Sequence, residues 1–102
     1  TKAILVTNVY GSIADFVSLR KLADKYSLKI IEDAAESLGS KLDGIMSGNL
    51  ADISTFSFYG NKTITSGEGG MLVTNNKKYE RLLKLYRNVG YSKKRFIHNF
   101  RL

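Results

Sequence analysis

Two side chains in this sequence have the types and spacing to act on one bound group. Asp33 closes the run Leu28-Lys29-Ile30-Ile31-Glu32-Asp33, and Lys62 follows Gly60-Asn61, 29 residues later. A carboxylate at a strand end and a primary amine on a nearby loop are what pyridoxal phosphate requires. The lysine holds that cofactor as a Schiff base, and an acid pairs with its pyridine nitrogen. The negative charge favours the protonated nitrogen, so the ring can accept the electrons released when a substrate Cα–H bond breaks. The lysine, displaced by the incoming amine, is then free beside that carbon and able to move the proton. The cofactor phosphate needs hydroxyl and backbone donors, and Ser57 lies on the strand leading to Lys62. Spacing permits this scheme without requiring it. A loop lysine is ordinarily a solvated charge, and carboxylates after a strand ordinarily favour a helix N-terminus.

The elements that must position these groups are legible. Lys2 to Tyr10 is apolar and β-branched and predicts a strand stopped by Gly11. Ser12 has the form of a helix N-cap with Asp15 three residues on. Ile13, Phe16, Leu19, Leu22, Ala23 and Tyr26 then recur at helical spacing. Leu28 to Glu32 is the next strand. Strand, helix and strand in about 32 residues make a βαβ unit, hence a parallel sheet with a right-handed crossover. Ligands of such sheets bind beyond the carboxyl ends of the strands, where Asp33 falls. Residues 39–49 read as a loop, with room for a short hairpin through Lys41-Leu42. Ile53 to Phe58 and Met71 to Thr74 are strands around the Lys62 loop and its Ser66-Gly67-Glu68-Gly69-Gly70 turn. A second helix is capped by Asn75 or Asn76, carries Tyr79, Leu82, Leu83 and Tyr86 as a stripe, and ends at Gly90. Tyr91 to Leu102 shows no period and is expected to be extended.

Bulk properties narrow the classes. The 102 residues are 43% hydrophobic and 25% charged, a globular balance for one domain at most. Without cysteine there is no disulfide framework or thiolate metal site, and the single His98 cannot build a zinc site alone. No apolar run approaches membrane-spanning length and no signal-peptide pattern opens the chain, so a cytoplasmic protein is expected. The net charge of +7 is uneven: residues 75–102 carry nine Lys/Arg against Glu80 alone. Tyr86, Tyr91, Phe96 and Phe100 among those charges admit a nucleic-acid-binding module as a competing reading. A solvated helix face, or attraction of anionic small molecules, accounts for the same charge. The start at Thr1 and the finish without a closing element suggest a piece of a larger domain.

Three local patterns fail on context. Asn61-Lys62-Thr63 has the form of a glycosylation acceptor, with nothing to suggest secretion. A phosphate loop needs glycine at positions 56 and 61, where this chain has Phe56 and Asn61. Gly67-Glu68-Gly69-Gly70 begins like a dinucleotide fingerprint, but the third glycine would fall at Leu72 and a strand follows.

Longer stretches carry a resemblance. E-D-A-A-E-S-L-G, followed by D-I-S-T-F-S-F-Y-G-N-K-T-I-T-S-G-E-G-G-M-L-V-T-N, resembles the DegT/StrS family of sugar aminotransferases. A-I-L-V-T-N-V-Y-G-S-I-A-D and L-Y-R-N-V-G extend the similarity over nearly the whole chain. The resemblance implies an α/β fold, the three-layer α/β/α large domain of PLP-dependent transferases of the aspartate aminotransferase type (fold type I). Residues 1–102 would be a central fragment of that domain, with no second domain present.

By the same resemblance Lys62 is the catalytic Schiff-base lysine, Asp33 partners the pyridine nitrogen, Ser57 binds the phosphate and Ala35 lies against the ring. Glu36, near the ring hydroxyl, stands where many members carry glutamine, and Asn8 where histidine is common. Gly67, Gly69 and Gly70 would form a tight turn near the cofactor, and Glu68 would be structural or catalytic. Lys62 sets the chain apart from the family's sugar dehydratases, which have histidine there. The implied reaction moves an amino group, usually from glutamate, to a nucleotide-linked keto-deoxy sugar, in cell-surface polysaccharide or amino-sugar synthesis. The Y-G-N-K-T-I-T stretch most resembles perosamine-synthase-like members. The implied parent is a homodimer binding a nucleotide-sugar and an amino-acid donor, with no nucleic-acid, membrane or metal partner, and the isolated fragment is expected to be inactive.

Overall fold

The structure, a computed structural model, describes residues 1–87. In chain order it contains β1 (Ala3–Thr7), α1 (Phe16–Lys25), β2 (Lys29–Asp33), β3 (Lys41–Leu42), β4 (Ile45–Met46), β5 (Ile53–Ser57), β6 (Gly70–Val73) and α2 (Lys77–Arg87). Four strands form one sheet in the order β1-β2-β5-β6, and β3-β4 form a separate hairpin. β1, β2 and β5 run parallel, while β6 returns antiparallel to β5. The expected βαβ unit is present, and the carboxyl ends of β1, β2 and β5 share one edge.

Strand alternation decides the core. Ile4 pairs with Ile30 and Val6 with Glu32, so these side chains share a face. On that face Val6, Phe16, Ala23 and Ile30 form the buried cluster, with Leu19, Leu28 and Leu42 packed against it. Each fully buried large side chain contributes about 1.5–3 kcal/mol, so Phe16 and Ile30 dominate the attachment of α1 to the sheet. The opposite face is lightly covered: Leu5 of β1 is 69% exposed. There Thr55 and Leu72 line a groove of about 460 Å³ with Leu83 and Arg87 of α2. The two helices therefore flank the sheet, giving the α/β layering expected from the sequence.

Arg20 of α1 ties the helix to the start of β5. Its guanidinium donates to Asp52 at 3.1 Å, and Asp52 also accepts the Ile30 N–H at 2.9 Å and lies 3.5 Å from Lys29 Nζ. Burial works to raise the Asp52 carboxyl, but the Ile30 N–H, the Arg20 bond and the two cations outweigh it and hold it below its ordinary value. On α2, Glu80 is pulled down to about 2 by hydrogen bonds from Lys84 and Lys77, so part of the helix charge is spent in local pairs.

Several boundaries differ from the sequence expectation. β1 stops at Thr7 rather than Tyr10, because Asn8 turns its side chain into the interior and Tyr10 adopts φ +51. The N-cap of α1 is Asp15, not Ser12: Asp15 accepts the Ser18 N–H at 3.0 Å, while Ser12 is held in a bridge with Val9. Ile13 therefore precedes the helix. Of the two expected caps of α2, Asn76 fills the role, accepting the Lys78 and Tyr79 N–H groups. The loop after Gly39 does form the short hairpin, β3-β4. The expected helix end at Gly90, the extended segment 91–102 and His98 lie outside the described residues. Among the described residues no helix is long and apolar enough to cross a membrane.

Candidate functional site

At the carboxyl edge of the parallel strands the end of β2 has two unlike sides. Glu32 and Asp33 are consecutive, so alternation sends one carboxylate into the α1 face and the other to the opposite face. Glu32 is fully buried. Its Oε1 accepts Asn8 Nδ2 at 2.8 Å and Ser47 Oγ at 2.8 Å, and its Oε2 accepts the Gly48 N–H at 2.9 Å and Ser54 Oγ at 2.6 Å. Asn8 Nδ2 also reaches Ser37 Oγ at 3.2 Å, and the Ser37 and Ser47 hydroxyls lie 2.7 Å apart. One carboxylate thus joins the end of β1, the β3-β4 hairpin and β5 behind the site. Among the described residues no cation meets Glu32, and its buried oxygens are satisfied instead by four hydrogen bonds.

On the other side the Asp33 carboxylate has lone pairs that no other described residue uses. Among the described residues, the Asp33 carboxylate accepts one hydrogen bond, from the Ala35 N–H at 3.1 Å. Asp33 pairs with Thr55 in the sheet. Ser57, two residues further along β5, therefore shares the face of Asp33. Ser57 Oγ accepts the Tyr59 N–H at 3.3 Å, which leaves its hydroxyl hydrogen available to an anion.

Lys62 is carried on a loop folded back onto the end of β5. The Phe58 N–H donates to the Gly69 carbonyl at 2.9 Å, the Ser66 N–H to the Phe58 carbonyl at 3.1 Å, and the Lys62 N–H to the Tyr59 carbonyl at 3.0 Å. The turn behind it needs its glycines. Gly67 and Gly69 have φ of +85 and +105, and a Cβ on Gly70 would lie 2.6 Å from the Phe56 carbonyl oxygen. Glu68 is exposed, and its main-chain carbonyl accepts Ser66 Oγ at 2.5 Å.

Lys62 and Glu36 meet across a cavity of about 220 Å³ lined by Tyr10, Ala35, Glu36, Asn61, Lys62 and Thr63. Lys62 Nζ lies 3.8 Å from Glu36 Oε1. Three of the five expected residues, Ala35, Glu36 and Lys62, thus share one cavity. Asp33 and Ser57 do not line it; they occupy neighbouring strand ends on a shared sheet face. The set suits pyridoxal phosphate chemically: a half-buried amine, a carboxylate with unused lone pairs, a small side chain where a flat ring needs space, and a free hydroxyl hydrogen.

Sequence reasoning passed over Glu32 and Tyr10. Glu32 had a signal: it lies two residues after Ile30 on an inward face, and a polar residue there needs partners. Asn8, which had no assigned consequence, supplies one of them. Tyr10 gave no signal, because a left-handed backbone at a tyrosine is not written in residue type.

Comparison with known proteins follows the same residues. The chain matches the DegT/DnrJ/EryC1/StrS aminotransferase family over residues 1–101. It is 45% identical over 100 residues to a GDP-perosamine synthase of Vibrio cholerae, covering 97% of this chain and 27% of that protein. It is 54% identical over 84 residues to a GDP-perosamine synthase of Escherichia coli O157:H7, covering 81% and 23%. Among solved structures, the Helicobacter pylori aminotransferase PseC, involved in pseudaminic acid biosynthesis, matches with a TM-score of 0.86 at 38% identity over 100% of this chain and 30% of that one. A DegT/DnrJ/EryC1/StrS aminotransferase from Brucella abortus matches with a TM-score of 0.89 at 31% identity, covering 99% and 27%. The chain spans about a quarter of the length of these curated relatives. A family match over nearly every residue, with the same fold in the solved relatives, places this chain in the DegT/DnrJ/EryC1/StrS aminotransferase family.

Proposed function

We propose that the protein containing this chain is a pyridoxal phosphate-dependent aminotransferase acting on a nucleotide-linked keto-deoxy sugar, with an amino acid, glutamate first among candidates, as donor. The observation that carries this reading is the cavity shared by Lys62, Ala35 and Glu36 at the strand edge where Asp33 and Ser57 end β2 and β5. The names of the relatives, GDP-perosamine synthase foremost, support the sugar class. Residues 1–102 are then the central part of the large cofactor-binding domain of a cytoplasmic homodimer serving polysaccharide or amino-sugar synthesis.

When bound, the cofactor supplies an electron sink for the bond broken at the substrate amine carbon. The chain supplies the rest. Lys62 would hold the cofactor through Nζ and could carry a proton at that atom. The Asp33 carboxylate would pair with the ring nitrogen through the lone pairs that Ala35 leaves free. Ser57 Oγ would donate to the phosphate, and Ala35 would leave room for the ring. Lys62 favours amino transfer over dehydration, because an amine is needed to hold the cofactor covalently.

The test is spectroscopic. The full-length protein incubated with pyridoxal phosphate is expected to show the absorbance band of lysine-bound cofactor, and Lys62→Ala to lose both the band and amino transfer. A full-length preparation with no band would overturn the reading. A band without transfer to any nucleotide-linked keto sugar would overturn the substrate class.

A further inference from the structure

The segment that carries Asp33, Ala35 and Glu36 is bracketed from the α1 side of the sheet by one side chain. Asn8 is 1% exposed, and all of its side-chain hydrogen-bonding groups are used. Its Nδ2 gives one hydrogen to Glu32 Oε1 at 2.8 Å, just before the segment, and the other to Ser37 Oγ at 3.2 Å, just after it. Its Oδ1 accepts the Ala14 N–H at 3.2 Å, and its main-chain N–H donates to the Asp33 carbonyl at 3.0 Å. Between the brackets the turn is short. The Ser37 N–H closes it on the Ala34 carbonyl at 3.1 Å, and the Ala35 N–H meets the Asp33 carboxylate at 3.1 Å. Because Ser47 Oγ donates to Glu32, the Ser37 hydroxyl hydrogen goes to Ser47 and a Ser37 lone pair is left for Asn8. Asparagine is the one side chain of its size with two hydrogens to give and an oxygen to accept.

We propose that Asn8 is a positioning residue for cofactor binding: by fixing both ends of the segment 33–36 it sets the aim of the Asp33 carboxylate. This rests on the function proposed above. Asn8 does not line the cavity that Lys62 shares with Ala35 and Glu36, so it acts through the turn. Among the described residues the Asp33 carboxylate is held by one hydrogen bond, from within its own loop. Its direction is therefore inherited from the backbone that carries it. Hydrogen bonds weaken steeply with angle, and small displacements of a binding group cost much of its effect. A turn fixed at one end only would let that carboxylate swing away from a ring nitrogen. An imidazole has a donor and an acceptor nitrogen, so histidine at this position can serve Glu32 and Ala14 in the same way.

The experiment measures noncovalent pyridoxal phosphate affinity by equilibrium dialysis, on the full-length protein in the Lys62→Ala background. Asn8→Ala is expected to weaken binding roughly five- to tenfold and Ser37→Ala roughly two- to fivefold, the scale of one lost hydrogen bond. Ser37→Ala keeps all four hydrogen bonds to Glu32, so it reads the bracket even where Asn8→Ala does not fold. Each substitution is then combined with Asp33→Ala. Groups that act through one another are not additive, so neither substitution is expected to weaken binding further once the Asp33 carboxylate is gone. A general loosening of the fold would weaken binding by the same factor with and without Asp33. Equal losses in the two backgrounds, or an affinity that Ser37→Ala leaves unchanged, would overturn the proposal. Failure of the unmutated protein to capture pyridoxal phosphate on Lys62 overturns the proposed function and with it the inference, a result distinct from the other two.

Discussion

Glu32 and Asp33 are adjacent in sequence, alike in chemistry and opposite in circumstance. Glu32 is sealed among five donor and bridging groups and accepts four hydrogen bonds. Asp33 faces the other way and, among the described residues, accepts one, from its own loop. The difference separates two uses of a carboxylate. Once every lone pair is taken, the group can only hold structure together; when lone pairs remain and the site is open, it can recruit a ligand. Glu36 follows the Asp33 pattern, with one oxygen fixed by Tyr10 and the other turned to Lys62.

The sharpest way to break that contrast is at Glu32. Glu32→Ala in the full-length protein strands the Gly48 N–H, the Asn8 amide and two serine hydroxyls, and is expected to lower stability by about 3 kcal/mol. Denaturant unfolding checks it, and an unmoved midpoint would mean the buried network carries no weight. Asp33→Ala is expected to do the reverse. Stability should stay within about 0.5 kcal/mol, while noncovalent pyridoxal phosphate affinity, measured in the Lys62→Ala background, falls roughly 10- to 100-fold, as for loss of a charge-assisted hydrogen bond. If Asp33→Ala instead lowers stability by several kcal/mol and leaves affinity unchanged, the assignment of the open side is wrong.

Asp52 sharpens the contrast with a third case, a carboxylate satisfied by cations as well as by a backbone N–H. Its carboxyl is held below the ordinary value. Its contribution is therefore present above the unfolded-state pKa and is lost as pH falls through the folded-state value. Asp52→Asn is expected to cost about 1 kcal/mol near neutral pH. The gap to the unmutated protein should close as pH is taken below about 4, where carboxylates protonate. A gap independent of pH would show that shape, not charge, is what Asp52 supplies.

Much of the molecule was legible before folding was considered. Period-two and period-3.6 patterns placed β1, α1, β2, β5 and α2, because burying one face of each element imposes those spacings. Asp33, Ser57 and Lys62 were legible as chemistry because their types and order suit one cofactor. Ala35 and Glu36 came only with the family resemblance. The alternation of β2 already implied that Glu32 points inward, although not what would meet it there.

Tertiary structure decided the rest. Asn8, Ser37, Ser47 and Ser54 are unremarkable polar residues until three segments converge on one buried carboxylate and each lone pair must find a donor. The cap of α1 moved from Ser12 to Asp15 because Ser12 was already committed to the turn after β1. Tyr10 left the strand its residue type favours: its backbone is left-handed and its amide bonds the Glu36 carboxylate instead of a strand neighbour. The sequence by itself determined which groups exist and in what order they come to the strand edge. Only packing decided which carboxylates were used up and which were left open beside Lys62, since that depends on donors brought from segments remote along the chain.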